Sequence, residues 1–225
     1  MNETQHSRKT NLFIILSGLF LTNAILAEII GVKIFSGEMT LGIEPAGWKI
    51  FGDYILDFNL TAGAVIWPVV FITTDIINEY YGIRGVRFLS FLTAGLIAFA
   101  FFLFYFAIHT VPAGWWQVSQ QQNGVPDMQA AYNQILGQGM SIILASLTAF
   151  MVGQLTDATV FRKIKKLTGE KRIWMRATVS TLFSQMVDTI VVSYIYLYFA
   201  LGFSFPRVTA IAMVGYTYKF TIAIL

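Results

Sequence analysis

Six long apolar segments constrain this chain more than any other feature. A helix needs about 20 mostly apolar residues, each rising 1.5 Å, to cross the hydrocarbon core of a bilayer. Apolar residues make up 56% of the chain and charged residues only 12%, whereas soluble domains are about a quarter charged. The sequence predicts an all-α membrane protein: a compact bundle of six transmembrane helices in a single domain, residues 1–225. The expected spans are residues 12–34, 62–81, 86–108, 138–161, 177–201 and 208–225.

The basic residues predict how these spans are oriented. Two precede the first span, two separate the second from the third, and seven lie between the fourth and the fifth, so 11 of the 15 Lys and Arg fall on one side. Because cytoplasmic loops carry the excess of Lys and Arg, both termini are expected in the cytoplasm. The 11 residues are Arg8, Lys9, Arg84, Arg87, Arg162, Lys163, Lys165, Lys166, Lys171, Arg172 and Arg176.

The residue inventory argues against several kinds of chemistry. The chain has no Cys, and its two His are His6 and His109. A disulfide, a thiol nucleophile and a thiolate or His-rich metal site are therefore not expected. The net charge of +3 is explained by membrane orientation and does not indicate a nucleic-acid partner. We expect no enzyme activity, no catalytic residue, no metal and no cofactor.

Polar side chains within the second span are the first candidate ligand-binding groups. An ionisable residue at mid-bilayer costs about 2.5 kcal/mol or more, so it normally faces the bundle interior. Asp75, Asn78 and Glu79 share one helical face because they are three and four residues apart. An alternative for Glu79 is that it marks the helix end and pairs with Arg84 or Arg87.

The fourth and fifth spans each contain Gln-x-x-Asp. Gln154 precedes Asp157, and Gln185 precedes Asp188, with each pair on one face of its helix. Asp188 lies 12 residues past Arg176, about 18 Å into the membrane. Alternatives remain open: Asp157 could form a salt bridge with the basic loop, and Asp188 could make a structural interhelical hydrogen bond.

The sixth span adds a lysine that needs a partner. Lys219 lies 12 residues past Arg207, near mid-membrane, so Asp188 is the expected partner by depth; snorkelling to the inner surface is the alternative. Carboxylates, carboxamides and an aromatic face together suit a flat, hydrogen-bonding ligand. The candidate substrate-binding residues are Asn23, Trp67, Asp75, Asn78, Glu79, Gln154, Asp157, Gln185, Asp188, Tyr216 and Lys219.

Three strings in the second, fourth and fifth spans resemble the queuosine precursor transporter family. They are FITTDIINEYYG (71–82), GQLTDATVF (153–161) and WMRATVSTLFSQMVDT (174–189). The resemblance implies a multi-pass protein of the bacterial inner membrane that imports 7-deazaguanine precursors of queuosine. Family motif residues map onto Lys33, Asp75, Asn78, Glu79, Gln154, Asp157, Arg176, Ser180, Gln185 and Asp188.

The sequence therefore predicts a transporter of a small planar polar solute, a purine-like base, working by alternating access. Its partners would be this solute and the lipid bilayer, and a homodimer is left open. A second reading is the substrate-binding subunit of an energy-coupling complex, for which Ala27 and Gly31 offer a weak docking motif. A third reading is a structural subunit without catalytic activity. A remote reading is an intramembrane aspartyl protease that uses Asp157 and Asp188, although the Gly-x-Gly-Asp sequence expected of such a protease is absent.

Two segments outside the spans are rich in aromatic and polar residues. Residues 36–61 predict a short hairpin or a re-entrant cap, and residues 109–137 an interfacial aromatic belt followed by a polar loop. The apolar run that begins at Asn11 is too long for a signal peptide, so it predicts an uncleaved first helix. Ending at Leu225 predicts either a short last helix or a truncated sequence.

Overall fold

Long helices dominate the computed structural model, which describes residues 3–50, 54–137, 140–169 and 172–224. In chain order the helices are α1 (Glu3–Ile30), α2 (Gly37–Thr40), α3 (Trp67–Ile108), α4 (Gly114–Gln117), α5 (Met128–Leu136), α6 (Met140–Thr168), α7 (Ile173–Ser193) and α8 (Phe205–Ile224). The strands are β1 (Ile34–Ser36), β2 (Trp48–Ile50), β3 (Tyr54–Leu56) and β4 (Asn59–Thr61). The 3-10 turns are Ala62–Val65 and Gln121–Asn123, and a π-helical stretch, Tyr194–Ala200, continues α7.

Four helical stretches in the described residues are long and apolar enough to cross a bilayer. They are Ser7–Ile30, Trp67–Ile108, Met128–Thr168 and Ile173–Ala200. Their apolar side chains largely face outward, as lipid-facing surfaces require, while the polar residues collect inside. The chain is thus an all-α, multi-pass membrane protein.

Helix α3 is divided at Gly82. Its 42 residues would measure about 63 Å if straight, twice the thickness of a hydrocarbon core. Gly82 has φ 70° and ψ −179°, a conformation that is essentially restricted to glycine. Before the break, Tyr81 donates a hydrogen bond to the carbonyl of Lys9 in α1 (2.6 Å). The break turns the chain back on itself.

Contacts at the two ends of α3 show this reversal. Trp67 at its start contacts Phe150 of α6 (ring centroids 5.9 Å apart), and Ile108 at its end lies beside Gly137, just before α6. Both ends therefore lie toward the beginning of α6. The middle of α3 lies toward the end of α6, where Glu79 pairs with Lys165.

Helices α7 and α8 form an antiparallel pair. Tyr194, just after α7, hydrogen bonds to Thr209 near the start of α8 (2.9 Å). Farther along, the hydroxyl of Tyr216 donates to the carbonyl of Leu182 (3.3 Å). This pairing brings the second half of α8 against the middle of α7.

The predicted hairpin in residues 36–61 is confirmed, with residues 51–53 outside the described residues. Strand β1 pairs antiparallel with β4, and β2 with β3. The Glu38 carboxylate accepts hydrogen bonds from the backbone amides of Phe58 (3.0 Å) and Ala46 (3.2 Å). The Phe58 amide, more than the other donors, holds the pKa of Glu38 below its usual value. Glu38 thus links three parts of residues 36–61 by hydrogen bonds: helix α2, the backbone at Ala46 and the backbone at Phe58.

The polar loop predicted within residues 109–137 is wrong in part, because helices α4 and α5 form there. Asp127 caps α5 by accepting from the amides of Gln129 (2.8 Å) and Ala130 (3.1 Å). The Ala130 amide is the main cause of a lowered pKa at Asp127, followed by the side chain of Gln117. Trp115 is exposed, as an interfacial belt requires.

Several predicted span boundaries also differ from the helices. Helix α1 ends at Ile30, because residues 34–36 form a strand. Helix α6 continues to Thr168 through much of the predicted basic loop, since Lys and Arg are good helix formers. The predicted boundaries at 138 and 225 lie outside the described residues.

Candidate functional site

A central cavity of about 240 Å³ lies between α3, α7 and α8. It brings together four of the predicted residues, Trp67, Asp75, Gln185 and Lys219. The aromatic ring and the carboxylate come from the same helix, two turns apart, and the carboxamide and the ammonium from the two helices opposite. The cavity thus presents an aromatic face, an acceptor, a mixed donor–acceptor group and a cation.

Lys219 and Asp188 form the ion pair expected from their depths. The Lys219 ammonium lies 2.6 Å from the Asp188 Oδ2 atom. The alternative of snorkelling is therefore not adopted in this structure. The antiparallel packing of α8 on α7 makes the pair possible, since it brings the second half of α8 beside residue 188.

A second, outer cavity of about 170 Å³ lies next to the first. Ala64, Trp67 and Lys219 line both cavities, so these three residues stand between them. Glu28 and Asp188 line the outer one, and Glu28 accepts a hydrogen bond from Ser146 of α6 (2.5 Å). Glu28 was not among the predicted site residues. A charged residue within the first span was the available signal that Glu28 belongs to a site. The sequence did not show that Ser146 of α6 would be its hydrogen-bond partner.

A layer of buried polar residues lies behind the central cavity. Thr74 donates to the Gln154 carbonyl oxygen (3.0 Å), and Ser184 donates to the Asp157 Oδ1 atom (3.2 Å). Gln154 is 1% exposed and Asp157 0%, and neither is among the lining residues of the cavities described here. The partner of Asp157 is therefore the Ser184 hydroxyl and not a cation of the basic loop.

Glu79 closes the end of the bundle at which α3 turns. Its carboxylate lies 2.7 Å from the Arg176 Nη2 atom and 3.0 Å from the Lys165 ammonium. The alternative partners for Glu79, Arg84 or Arg87, are not the ones found, because α6 extends far enough to present Lys165 and α7 begins early enough to present Arg176. Beside this ion pair lies a cavity of about 460 Å³.

Arg176 is fully buried (0% exposed). Besides Glu79 it contacts the carbonyl of Gly169 (2.7 Å), and its guanidinium lies 5.5 Å from the centre of the Phe161 ring. The family resemblance included Arg176, but reasoning from depth treated it only as a loop cation. Arg176 is thus enclosed where the end of α6 meets the start of α7.

The remaining three predicted residues also lie apart from the central cavity. Asn23 donates to the carbonyl of Leu19 on its own helix (2.7 Å). Tyr216 lines an apolar cavity of about 360 Å³ between α7 and α8. Asn78 donates to the carbonyl of Ala158 (3.3 Å) and lines the cavity next to Glu79.

Two threonines that the sequence reasoning did not select also line the central cavity. Thr178 and Thr181 belong to α7, as does Gln185. The spacing of three, then four residues places all three on one helical face. This periodicity was the available signal, but hydroxyl groups are common in membrane helices and do not by themselves indicate a site.

Comparison with known proteins gives one family. The model of the family described as "Putative vitamin uptake transporter" matches residues 61–225. The chain is 30% identical over 175 residues to the "Queuosine precursor transporter" of Escherichia coli (strain K12). It is 29% identical over 143 residues to the "Probable queuosine precursor transporter" of Bacillus subtilis (strain 168), and 25% identical over 154 residues to that of Haemophilus influenzae.

These matches cover most of this chain and a smaller share of two relatives. They take in 76%, 60% and 68% of this chain, respectively, and 70%, 56% and 57% of the three relatives. No solved structure matches the chain. All three polar strings of the second, fourth and fifth spans fall inside the part matched by the family model.

Proposed function

Because this chain belongs to the vitamin uptake transporter family, which makes it a membrane transporter of a small molecule, we propose that it imports a 7-deazaguanine precursor of queuosine. Two observations support this substrate: the names of its curated relatives and the chemistry of the central cavity. The proposed setting is the bacterial inner membrane, as for the relatives from bacteria.

The central cavity suits a planar base with several hydrogen-bonding groups. The Asp75 carboxylate can accept an N–H bond from a guanine-like edge, and the Gln185 carboxamide can both donate and accept. The Trp67 ring can stack on the flat face of the base. The meeting of these three side chains in one cavity is the observation that carries the proposal.

We propose alternating access as the mechanism, with Arg176 and Glu79 forming the inner closure. The central cavity extends down to Ala177, and the next residue, Arg176, is fully buried in its ion pair with Glu79. Release of a solute past this end would require the two side chains to separate. The break at Gly82, three residues from Glu79, offers a position at which the chain can bend.

Six spans with both termini in the cytoplasm remain our proposed topology. The reversal at Gly82 and the antiparallel packing of α8 on α7 support it, because they divide the chain into six helical segments of alternating direction. The distribution of Lys and Arg agrees with this arrangement. The homodimer likewise stays a prediction.

The alternative of an energy-coupling subunit is less favoured by the packing of α1. Gly63 lies so close to Ala27 and Gly31 that a Cβ atom at residue 63 would collide with the Ala27 carbonyl oxygen. The small-residue face of α1 is thus covered from within the chain. The protease alternative is also less favoured, since Asp157 binds Ser184 and Asp188 binds Lys219.

Uptake of a labelled 7-deazaguanine base into proteoliposomes that contain only this protein tests the proposal. Loss of a hydrogen bond to a charged group is worth about 1.5–3 kcal/mol, so Asp75→Asn should weaken substrate binding about tenfold or more. Gln185→Leu should also reduce uptake. Glu44→Gln, on the exposed external segment, should leave uptake unchanged and serves as the matched control. Wild-type rates in both cavity variants would rule out this binding site.

A further inference from the structure

Three buried polar atoms at or behind the central cavity have no hydrogen-bond partner among the described residues. They are Asp75 Oδ1, Asp157 Oδ2 and Gln154 Nε2. Buried polar groups are normally satisfied, and an exception calls for an explanation. The other oxygens of Gln154 and Asp157 are satisfied by Thr74 and Ser184, so the side chains are held in place with one atom each left unpaired.

Asp75 and Asp157 lie on helices that pack side by side. The contacts from Thr74 to Gln154 (3.0 Å) and from Asn78 to Ala158 (3.3 Å) hold α3 and α6 together on either side of Asp75. The two carboxylates interact electrostatically. Asp75 lines the cavity, whereas Asp157 is 0% exposed behind it. One carboxylate thus faces the solute and the other is sealed from it.

The cations that reach the interior of the described bundle are already engaged. From α7, Arg176 pairs with Glu79 of α3, and from α8, Lys219 pairs with Asp188. From α6, Lys165 also pairs with Glu79.

The remaining groups packed around the two carboxylates bring no further positive charge. Helix α7 presents the Ser184 hydroxyl to the Asp157 Oδ1 atom (3.2 Å). Helix α1 contributes another acid, Glu28, in the outer cavity. Among the described residues, Asp157 is bonded to a hydroxyl group, and the ion pairs of the bundle interior join other acids, Glu79 and Asp188.

Two such buried carboxylates cannot both remain ionised, since like charges in one low-dielectric site strongly disfavour double ionisation. We propose that Asp75 and Asp157 hold one shared proton, and that this proton is carried inward with each substrate molecule. A protonated carboxyl supplies an O–H donor for one of the unpaired oxygens. The site therefore takes a proton as its ligand, and Asp157 acts in coupling rather than in contact with the solute.

The transport step balances in protons and charge. A proton from the outer side binds to a carboxylate oxygen of the pair, which neutralises one negative charge as the substrate enters. When the inner end opens, the carboxyl O–H bond breaks and the proton passes to cytoplasmic water. The release leaves the pair doubly ionised, which is unfavourable once the inner end closes and water is excluded, so the pair takes up the next proton from outside.

This inference rests on the proposed function, and the test is arranged so that the two can fail separately. The full chain is reconstituted in proteoliposomes, labelled 7-deazaguanine base is supplied outside, and a pH gradient is imposed, acid outside. One proton per substrate predicts up to about tenfold accumulation for each unit of pH difference, because one unit corresponds to a tenfold ratio. A protonophore should abolish accumulation, and a pH dye inside the vesicles should report acidification during uptake.

The Asp157→Asn variant separates coupling from binding. It keeps the side-chain volume and an oxygen for Ser184 while removing the ionisable group. We expect it to exchange labelled for unlabelled substrate yet to lose accumulation driven by the gradient, whereas Glu44→Gln should accumulate as the wild type does. Wild-type uptake that ignores the pH gradient and the protonophore would overturn the coupling while leaving the proposed function intact. Absence of any uptake or exchange by the wild type would instead overturn the proposed function, and the coupling with it.

Should Asp157→Asn fail to yield a folded protein, Asp157→Glu provides the second measurement. A longer side chain that retains the ionisable group should still acidify the vesicle interior during uptake, though with a shifted pH dependence. A pH profile of Asp157→Glu identical to that of the wild type would contradict a proton bound at this position.

Discussion

Arg176 shows how much a single buried charge can decide in this protein. Its guanidinium is enclosed by Glu79, the Gly169 carbonyl and the Phe161 ring. A buried charge is tolerated only when its partners are in place, so removal of one partner leaves the other uncompensated. The end of the bundle at which α3 turns therefore depends on both members of this ion pair.

At this scale we predict that Arg176→Gln destabilises the protein by about 3 kcal/mol, a typical cost of breaking a buried ion pair. Thermal unfolding in detergent micelles measures the loss. The double variant Glu79→Gln/Arg176→Gln should recover part of it, because it removes the charge that the single variant leaves unpaired. Strictly additive effects of the two substitutions would show that the pair is not energetically coupled.

Among the helices, α3 owes its shape to one residue. Gly82 adopts φ 70° and ψ −179°, and a Cβ atom built there meets nothing within 4 Å. Any cost of substituting it is thus a cost of backbone conformation and not of packing. Glycine is therefore required at residue 82 for its backbone conformation and not for lack of space for a side chain.

We predict that Gly82→Ala destabilises the fold by about 1–3 kcal/mol, the range for residues forced into sparsely populated backbone regions. Gly95→Ala is the matched control: it lies in the same helix, a Cβ there also meets nothing within 4 Å, and its backbone is helical. The control should be neutral or stabilising by up to about 1 kcal/mol, since Ala is the better helix former. Equal unfolding temperatures for the two variants would mean that the break at residue 82 does not require glycine.

For the whole molecule, the proposed topology can be tested by chemical labelling, because the chain has no Cys. Leu41, Val111 and Leu167 are all exposed. In cells, Leu41→Cys and Val111→Cys should react with a membrane-impermeant thiol reagent added outside. Leu167→Cys, at the end of α6, should react only after the membrane is permeabilised. Labelling of all three from the same side would refute six spans with both termini in the cytoplasm.

Membership in the membrane class could be predicted from the sequence because span length and charge bias are properties of local composition. Even the pairing of Lys219 with Asp188 could be anticipated, since depth along a helix follows from counting residues at a fixed rise. The cost of an isolated ammonium in lipid then leaves few choices of partner.

The tertiary structure alone decided what each polar residue faces. Asp75 and Asp157 looked equivalent as intramembrane acids, yet one lines the cavity and the other lies behind it. Glu79 met Arg176 and Lys165 rather than the arginines nearest in sequence. Helix rotation and choice of neighbour arise from side-chain packing between distant segments, and composition and spacing carry little information about that packing.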